Sequence, residues 1–68
     1  MEIEMLDTVE DSHAYLDQDE NGKDVVKYSV MKFRKGAKYN DESMAHDPAW
    51  KRRAPKLVKM GLAVEVEA

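Results

Sequence analysis

Six residues in the first third of the chain carry the oxygen ligands and the glycine that a calcium-binding loop uses. Residues 17–22 (DQDENG) fit the start of the pattern, in which positions 1, 3 and 5 coordinate the ion and glycine makes a sharp turn. The twelfth position of such a loop carries a bidentate glutamate, and Tyr28 occupies it here. We therefore predict an acidic hairpin loop, with Asp17, Asp19 and Asn21 as a weak calcium candidate.

Side chains suited to nucleophilic or acid–base catalysis are few and scattered. His13 and His46 are the only imidazoles, and neither lies within four residues of another histidine. Ser12 and Ser43 lie near them, but no motif of the kind that holds a nucleophile on a tight turn frames either serine. The three glycines are isolated, so they form no phosphate-binding loop. We predict no catalytic residue and no cofactor, and we interpret the chain as a non-enzymatic protein.

A basic cluster follows Trp50, and we take its five members as candidate interaction residues: Lys51, Arg52, Arg53, Lys56 and Lys59. On a helix, these side chains could contact the phosphates of a nucleic acid. The segment KLVKMGLAVEV also resembles the end of a winged-helix recognition helix, but that domain needs two earlier helices where this sequence predicts strands. The simpler alternative is a solvated helix face with cations near the C-terminus, where the helix dipole favours them. Nucleic-acid binding is therefore possible but not favoured.

The segment from Asp47 to Val66 has to position the basic cluster. Four apolar residues spaced at i, i+4, i+7 and i+8 predict a helix over residues 48–60: Trp50, Ala54, Leu57 and Val58. We expect Asp47 to cap its first turn, Pro48 to begin it and Gly61 to follow its end. Pro55 leaves two alternatives, a kinked helix or two short turns, and the continuous stripe favours the kinked helix. Trp50 is expected to anchor this helix to the sheet.

Alternating and β-branched segments predict strands at residues 2–6, 13–18, 24–33 and 62–66, with a turn at 7–12 and a brief pairing at 37–39. Asn21-Gly22 predicts a hairpin between the second and third strands. The predicted fold is α+β, a three- or four-stranded mostly antiparallel sheet with one helix, kinked at Pro55, on one face. The predicted core comprises Ile3, Met5, Leu16, Val26, Tyr28, Val30, Phe33, Trp50, Ala54, Leu57, Val58, Leu62 and Val64.

The length of 68 residues favours one small domain, residues 1–68. Chains below about 70–80 residues commonly depend on a disulfide, a metal or a partner. The chain has no cysteine, which excludes disulfides and thiolate metal sites, so we expect a protein partner or self-association. No apolar run approaches the ~18 residues of a membrane span, and the acidic start is unlike a signal peptide, so no membrane partner is expected.

The net charge of −3 is distributed unevenly along the chain. Residues 1–26 carry nine acids and one base, residues 27–60 carry ten bases and three acids, and residues 61–68 carry two acids. One interpretation is that the two halves fold against each other and partly neutralise. The other is that the acidic segment and the basic helix lie on different surfaces, separated by strands 24–33 and 62–66, and steer association electrostatically.

Two segments resemble a pattern found in small proteins of tailed bacteriophages: residues 33–39 (FRKGAKY) and residues 54–65 (APKLVKMGLAVE). That pattern has a first strand, a lysine-glycine turn and a helix ending in L-[IV]-x-x-G-x-A. The hairpin at residues 14–30 and Pro55 depart from it. The resemblance implies a structural or accessory protein, acting by protein–protein binding in the virion or the host cytoplasm. The alternative is a small phage-encoded regulator that binds nucleic acid or a host enzyme through the basic helix.

Overall fold

One helix and five strands make up the fold, and the computed structural model describes residues 1–67. In chain order they are β1 (Glu2–Met5), β2 (Val9–Gln18), β3 (Asp24–Phe33), β4 (Lys38–Asn40), α1 (Trp50–Lys59) and β5 (Ala63–Glu65). The predicted α+β class with one helix is confirmed. Every strand pair is antiparallel, and the strands form two sheets, one of three strands and one of two.

The three-stranded sheet has the order β4-β1-β5, with β1 at its centre. Ile3 lies between Tyr39 on one neighbouring strand and Glu65 on the other. The brief pairing predicted near residues 37–39 is confirmed as β4. Ile3 and Met5 lie on the same face of β1, in the core with the apolar side chains of α1, and are almost completely buried.

The two-stranded sheet is a long hairpin in which ten residues of β2 pair with ten of β3, from Val9 opposite Phe33 to Gln18 opposite Asp24. The backbone N–H of Gly22 donates to the carbonyl of Asp19 at 3.0 Å, and Gly22 takes the positive φ of 73° that closes the turn. The predicted turn at residues 7–12 is wrong over its last four residues. β2 starts at Val9 because residues 9–12 pair in register with the end of β3.

Helix α1 begins at Trp50, two residues later than predicted, and runs through Pro55 without interruption. The alternative of two separate turns is therefore wrong. Asp47 does not cap the helix; its Oδ1 accepts from the N–H of Ala49 at 3.0 Å and closes the preceding turn. Within residues 1–67, no helix has the length and apolar character needed to cross a membrane.

The hydrophobic core lies where α1 meets the three-stranded sheet and the base of the hairpin, and Trp50 lies inside it, as predicted. Its buried members are Ile3, Met5, Phe33, Met44, Trp50, Ala54, Leu57 and Ala63. Val58 and Leu62 pack against it, partly buried. Phe33 is at its centre, with ring centroids 4.9 Å from Tyr39 and 6.5 Å from Trp50.

Five residues predicted for the core are exposed instead: Leu16, Val26, Tyr28, Val30 and Val64. Four of them lie on the hairpin. Side chains alternate across a strand, so burying Phe33 at the end of β3 turns Val26, Tyr28 and Val30 to the opposite face. The sequence prediction buried the more apolar face of β3, whereas the structure buries the opposite face, on which apolar and polar side chains are mixed.

Candidate functional site

The five candidate basic residues do not form one surface. Arg53 is completely buried, and Lys56 is half-buried with its Nζ 2.7 Å from Asp11 Oδ1. Lys51, Arg52 and Lys59 remain exposed. The assignment of Arg53 to an interaction surface is therefore wrong, because a side chain with no solvent exposure cannot contact a partner. The helix face that carries it points into the protein.

Arg53 instead joins α1 to both strands of the hairpin. Its Nε donates to Asp11 Oδ2 on β2 at 2.8 Å, and its guanidinium also donates to the carbonyl oxygen of Ser29 on β3 and to Asp47. The hydroxyl of Ser29 donates to Asp47 at 3.0 Å. Among residues 1–67 every buried side-chain nitrogen and oxygen has a hydrogen-bond partner. Buried charges are tolerated when they are paired in this way, so the cluster fixes the hairpin on the helix.

The protonation of Asp11 fits this role. Burial raises the pKa of its carboxyl, but the hydrogen bonds from Lys56 and Arg53 together outweigh burial, so the pKa is lowered overall. Asp11 is therefore ionised at neutral pH and faces two cations. At this contact the acidic part of the chain folds against the basic helix, as the first interpretation of the charge pattern proposed. The predicted separation by strands is wrong, because β3 and β5 belong to different sheets.

The oxygens of the weak calcium candidate are engaged in the hairpin turn. Asp19 Oδ1 accepts from the backbone N–H groups of Asn21 at 2.8 Å and Lys23 at 2.9 Å. Asp17 Oδ2 lies 3.1 Å from Lys27 Nζ on the opposite strand. In the part of the chain that the structure describes, no group of three or more acidic, histidine or cysteine side chains is arranged to hold a metal. Asp19 therefore shapes the turn, and Asp17 joins the two strands of the hairpin.

The most unusual surface is the side of the hairpin that faces away from α1, which we call the outer face. It consists of the side chains of Ser12, Ala14, Leu16, Val26, Tyr28 and Val30. Leu16 is 73% exposed and Tyr28 is 69% exposed, and both valines are more than half exposed. Leu16 lies opposite Val26, and Ala14 lies opposite Tyr28, so the apolar side chains form one continuous patch. Contiguous exposed patches of this kind mark interaction sites more often than scattered apolar residues do.

The backbone of the hairpin also offers two free edges. The N–H of Asp19 donates to the carbonyl of Lys23, and hydrogen-bonded pairs alternate along an antiparallel ladder. It follows that the residues of the outer face direct their backbone N–H and C=O groups away from the hairpin. Ala14 and Leu16 do so at the edge of β2. At the edge of β3, the residues that do so are Val26, Tyr28 and Val30.

The two edges differ in their surroundings. The edge of β2 borders a shallow cleft of about 310 Å³, lined by Ala14 to Leu16 and by Pro48, Ala49, Lys51 and Arg52. The edge of β3 pairs with no other strand within residues 1–67. It is ten residues long and contains neither proline nor glycine, two residues with which proteins interrupt exposed edges. β3 therefore presents an open edge for a further strand.

Comparison with protein-family models, curated proteins and solved structures finds no match to this chain.

Proposed function

We propose that this chain is a non-enzymatic structural or assembly protein of a tailed bacteriophage, acting by binding other protein components. The observation that carries the protein-binding part of the proposal is the outer face, four large apolar side chains held in water on a paired and anchored hairpin. The tailed-phage source rests on the resemblance of residues 33–39 and 54–65 alone. Leaving Leu16, Val26, Tyr28 and Val30 exposed forgoes the stabilisation that burying each would give, about 1.5–3 kcal/mol per aliphatic side chain. A partner that covers the face recovers that free energy.

The anchoring of the hairpin supports the same proposal. Arg53 contacts Asp11 on β2 and Ser29 on β3, so both strands are held to α1 near the base of the hairpin. Residues 16–24, at the far end of the hairpin, are all exposed, and the molecule measures 41 × 22 × 17 Å. An arm that is fixed at one end loses little conformational entropy when its other end binds. Such an arm suits a protein that works by joining others.

Particle association tests the proposal. In a tailed phage that encodes the chain, the protein should sediment with purified particles, and Tyr28→Lys should remove it from them while leaving its fold intact. The matched control is Leu6→Lys, which adds the same charge at a 46% exposed leucine outside the hairpin. A protein found only in the soluble lysate, or a Tyr28→Lys variant that remains with the particles as the control does, would contradict the proposal.

The alternative function, a regulator that binds nucleic acid or a host enzyme through the basic helix, keeps one supporting observation. Lys51 and Arg52 are exposed next to the cleft beside β2. With Arg53 buried and Lys56 paired to Asp11, the helix offers few free cations for phosphates. A titration with duplex DNA decides: salt-sensitive binding that Lys51→Glu abolishes would favour the regulator.

A further inference from the structure

We propose that the open edge of β3 pairs with β3 of a second copy of this chain, antiparallel and centred on Tyr28, to form a continuous four-stranded sheet. The order of strands in this sheet would be β2-β3-β3-β2. This inference rests on the proposed function, because it takes the hairpin as a protein-binding element and names its first partner. It goes further by fixing the register of the contact.

The sequence of β3 is self-complementary about Tyr28. In an antiparallel pair centred there, the two Tyr28 residues are opposite each other and Val26 is opposite Val30. At both ends Asp24 is opposite Lys32 of the second copy. Opposite charges and paired β-branched residues both stabilise cross-strand positions. Because Asp24, Val26, Tyr28, Val30 and Lys32 also direct their backbone polar groups outwards, each pair would be hydrogen-bonded.

Other registers on the same edge fit less well. Centring the pair on Val30 places Tyr28 opposite Lys32 and Asp24 opposite Gly36, beyond the end of the strand. Centring it on Val26 places Asp24 opposite Tyr28 and reaches Gly22 in the turn. Of these registers, the one centred on Tyr28 pairs nine consecutive residues and places both Asp24 and Lys32 opposite a residue of the other charge. A pair centred on Ser29 is as long but leaves Lys32 opposite Val26.

The edge of β2 is less suited to the same pairing. A β2 pair centred on Ala14 places Asp11 opposite Asp17, and like charges directly opposite destabilise a pair. Acidic residues also lie near both ends of the strand, at Glu10 and at Asp19. The cleft-lining residues of the segment before α1 lie beside this edge. The chemistry of the two strands thus assigns the second copy to β3.

Pairing at β3 would also enlarge the outer face. In the four-stranded sheet, Leu16 and Val26 of one copy would lie in one row with Val30 of the second copy, and the two outer faces would merge. A pair of chains would then present one apolar platform with two-fold symmetry. Isologous contacts of this kind, in which the same patch is used twice, are the commonest way in which soluble proteins form dimers.

Charge reversal tests the register. Asp24→Lys places lysine opposite Lys32 at both ends of the dimer, and Lys32→Asp places aspartate opposite Asp24 at both ends. Each single variant should raise the dimer dissociation constant about tenfold, since two attractive pairs become repulsive. Mixing the two variants restores opposite charges at both ends, so a mixed dimer should form with the affinity of the parent. Sedimentation velocity of each protein and of the mixture measures this.

Two controls keep the charge test interpretable. Glu42→Lys and Lys35→Asp carry the same charge changes on exposed residues outside the hairpin, and neither should change the dissociation constant. Lys32 also lies opposite Glu10 in its own hairpin, so circular dichroism should confirm that Lys32→Asp still folds. A parent that stays monomeric at millimolar concentration, or a mixture no tighter than the single variants, would overturn the proposal.

Cysteine cross-linking gives a second test that does not depend on charge. The chain has no cysteine, so each single-cysteine variant reports one position. Tyr28→Cys should form a disulfide dimer readily, because the Cα atoms of two residues in a hydrogen-bonded pair lie about 5.5 Å apart, within disulfide range. Ala14→Cys is the matched control; it lies opposite Tyr28 on the same face, but the two copies would be three strand spacings apart, roughly 14 Å. Equal cross-linking of both variants would contradict the proposed edge.

These results are distinguishable from failure of the proposed function. A monomeric protein that still sediments with phage particles would overturn the β3 pairing and leave the assembly function supported. A dimer with the predicted register that never associates with particles would support the pairing and contradict the assembly function.

Discussion

Asp11 and Arg53, separated by 42 positions in the sequence, form a buried ion pair in which Arg53 Nε lies 2.8 Å from Asp11 Oδ2. The pair joins the middle of α1 to the base of the hairpin, and Lys56 one turn later reaches the other oxygen of the same carboxylate. The contact decides which face of the hairpin is turned to the protein. It therefore also decides which face is left for a partner.

Removing the arginine should be far more damaging than removing its neighbour. Arg53→Ala leaves the Asp47 and Asp11 carboxylates buried without their guanidinium, and breaking a buried pair in this way costs about 3–5 kcal/mol. Arg52→Ala truncates an exposed side chain, and we expect a change within about 0.5 kcal/mol. Urea denaturation of both variants measures the difference. Equal stabilities would show that the buried cluster does not hold the hairpin.

Stability should fall in acid because of the same contact. The pKa of Asp11 is lowered from its ordinary 3.8 in the folded chain, so the ionised carboxylate stabilises the fold above that pH. This contribution is lost as the pH falls through 3.8 towards the lower folded pKa. Asp11→Asn should be less stable at neutral pH and should lose less of its remaining free energy of unfolding in acid. Parallel pH profiles for parent and variant would contradict the assignment.

Two leucines with the same chemistry should respond differently to truncation. Leu57 is completely buried in the core, and Leu57→Ala should lower the free energy of unfolding by about 2–5 kcal/mol. Leu16 is 73% exposed, and Leu16→Ala should change it by about 0.5 kcal/mol or less. Thermal denaturation at low protein concentration compares the two folds without a contribution from association. A large loss from Leu16→Ala would place the outer face inside the protein.

The predictable part of the fold is the part governed by local pattern. The bounds of β3, the hairpin at Asn21-Gly22 and the helical stripe from Trp50 to Leu57 all follow from periodicity and turn chemistry. Each of these signals is contained within about ten residues. Tertiary contacts have only to be compatible with them.

The unpredicted part depends on contacts that are distant in sequence. The start of β2 is not predictable from the local sequence, because an aspartate such as Asp11 normally indicates a solvent-exposed position. Its burial is favourable only because the distant Arg53 pairs with it. Ser29 similarly makes the inner face of β3 look too polar for a core, although its hydroxyl belongs to the same buried cluster. The sequence offers one signal for this buried cluster. Ser29 lies on a strand with apolar residues on both faces, and a polar residue at such a position indicates a polar contact within the protein.

Amide hydrogen exchange at two protein concentrations tests the pairing of β3 on the unaltered chain. The backbone N–H groups of Val26, Tyr28 and Val30 point away from the hairpin, and so do those of Ala14 and Leu16 on the other edge. We predict that exchange at Val26, Tyr28 and Val30 slows as the concentration rises, while exchange at Ala14 and Leu16 stays fast. Exchange that is independent of concentration at the β3 edge, or slowed equally at both edges, would show that β3 does not pair with a second copy.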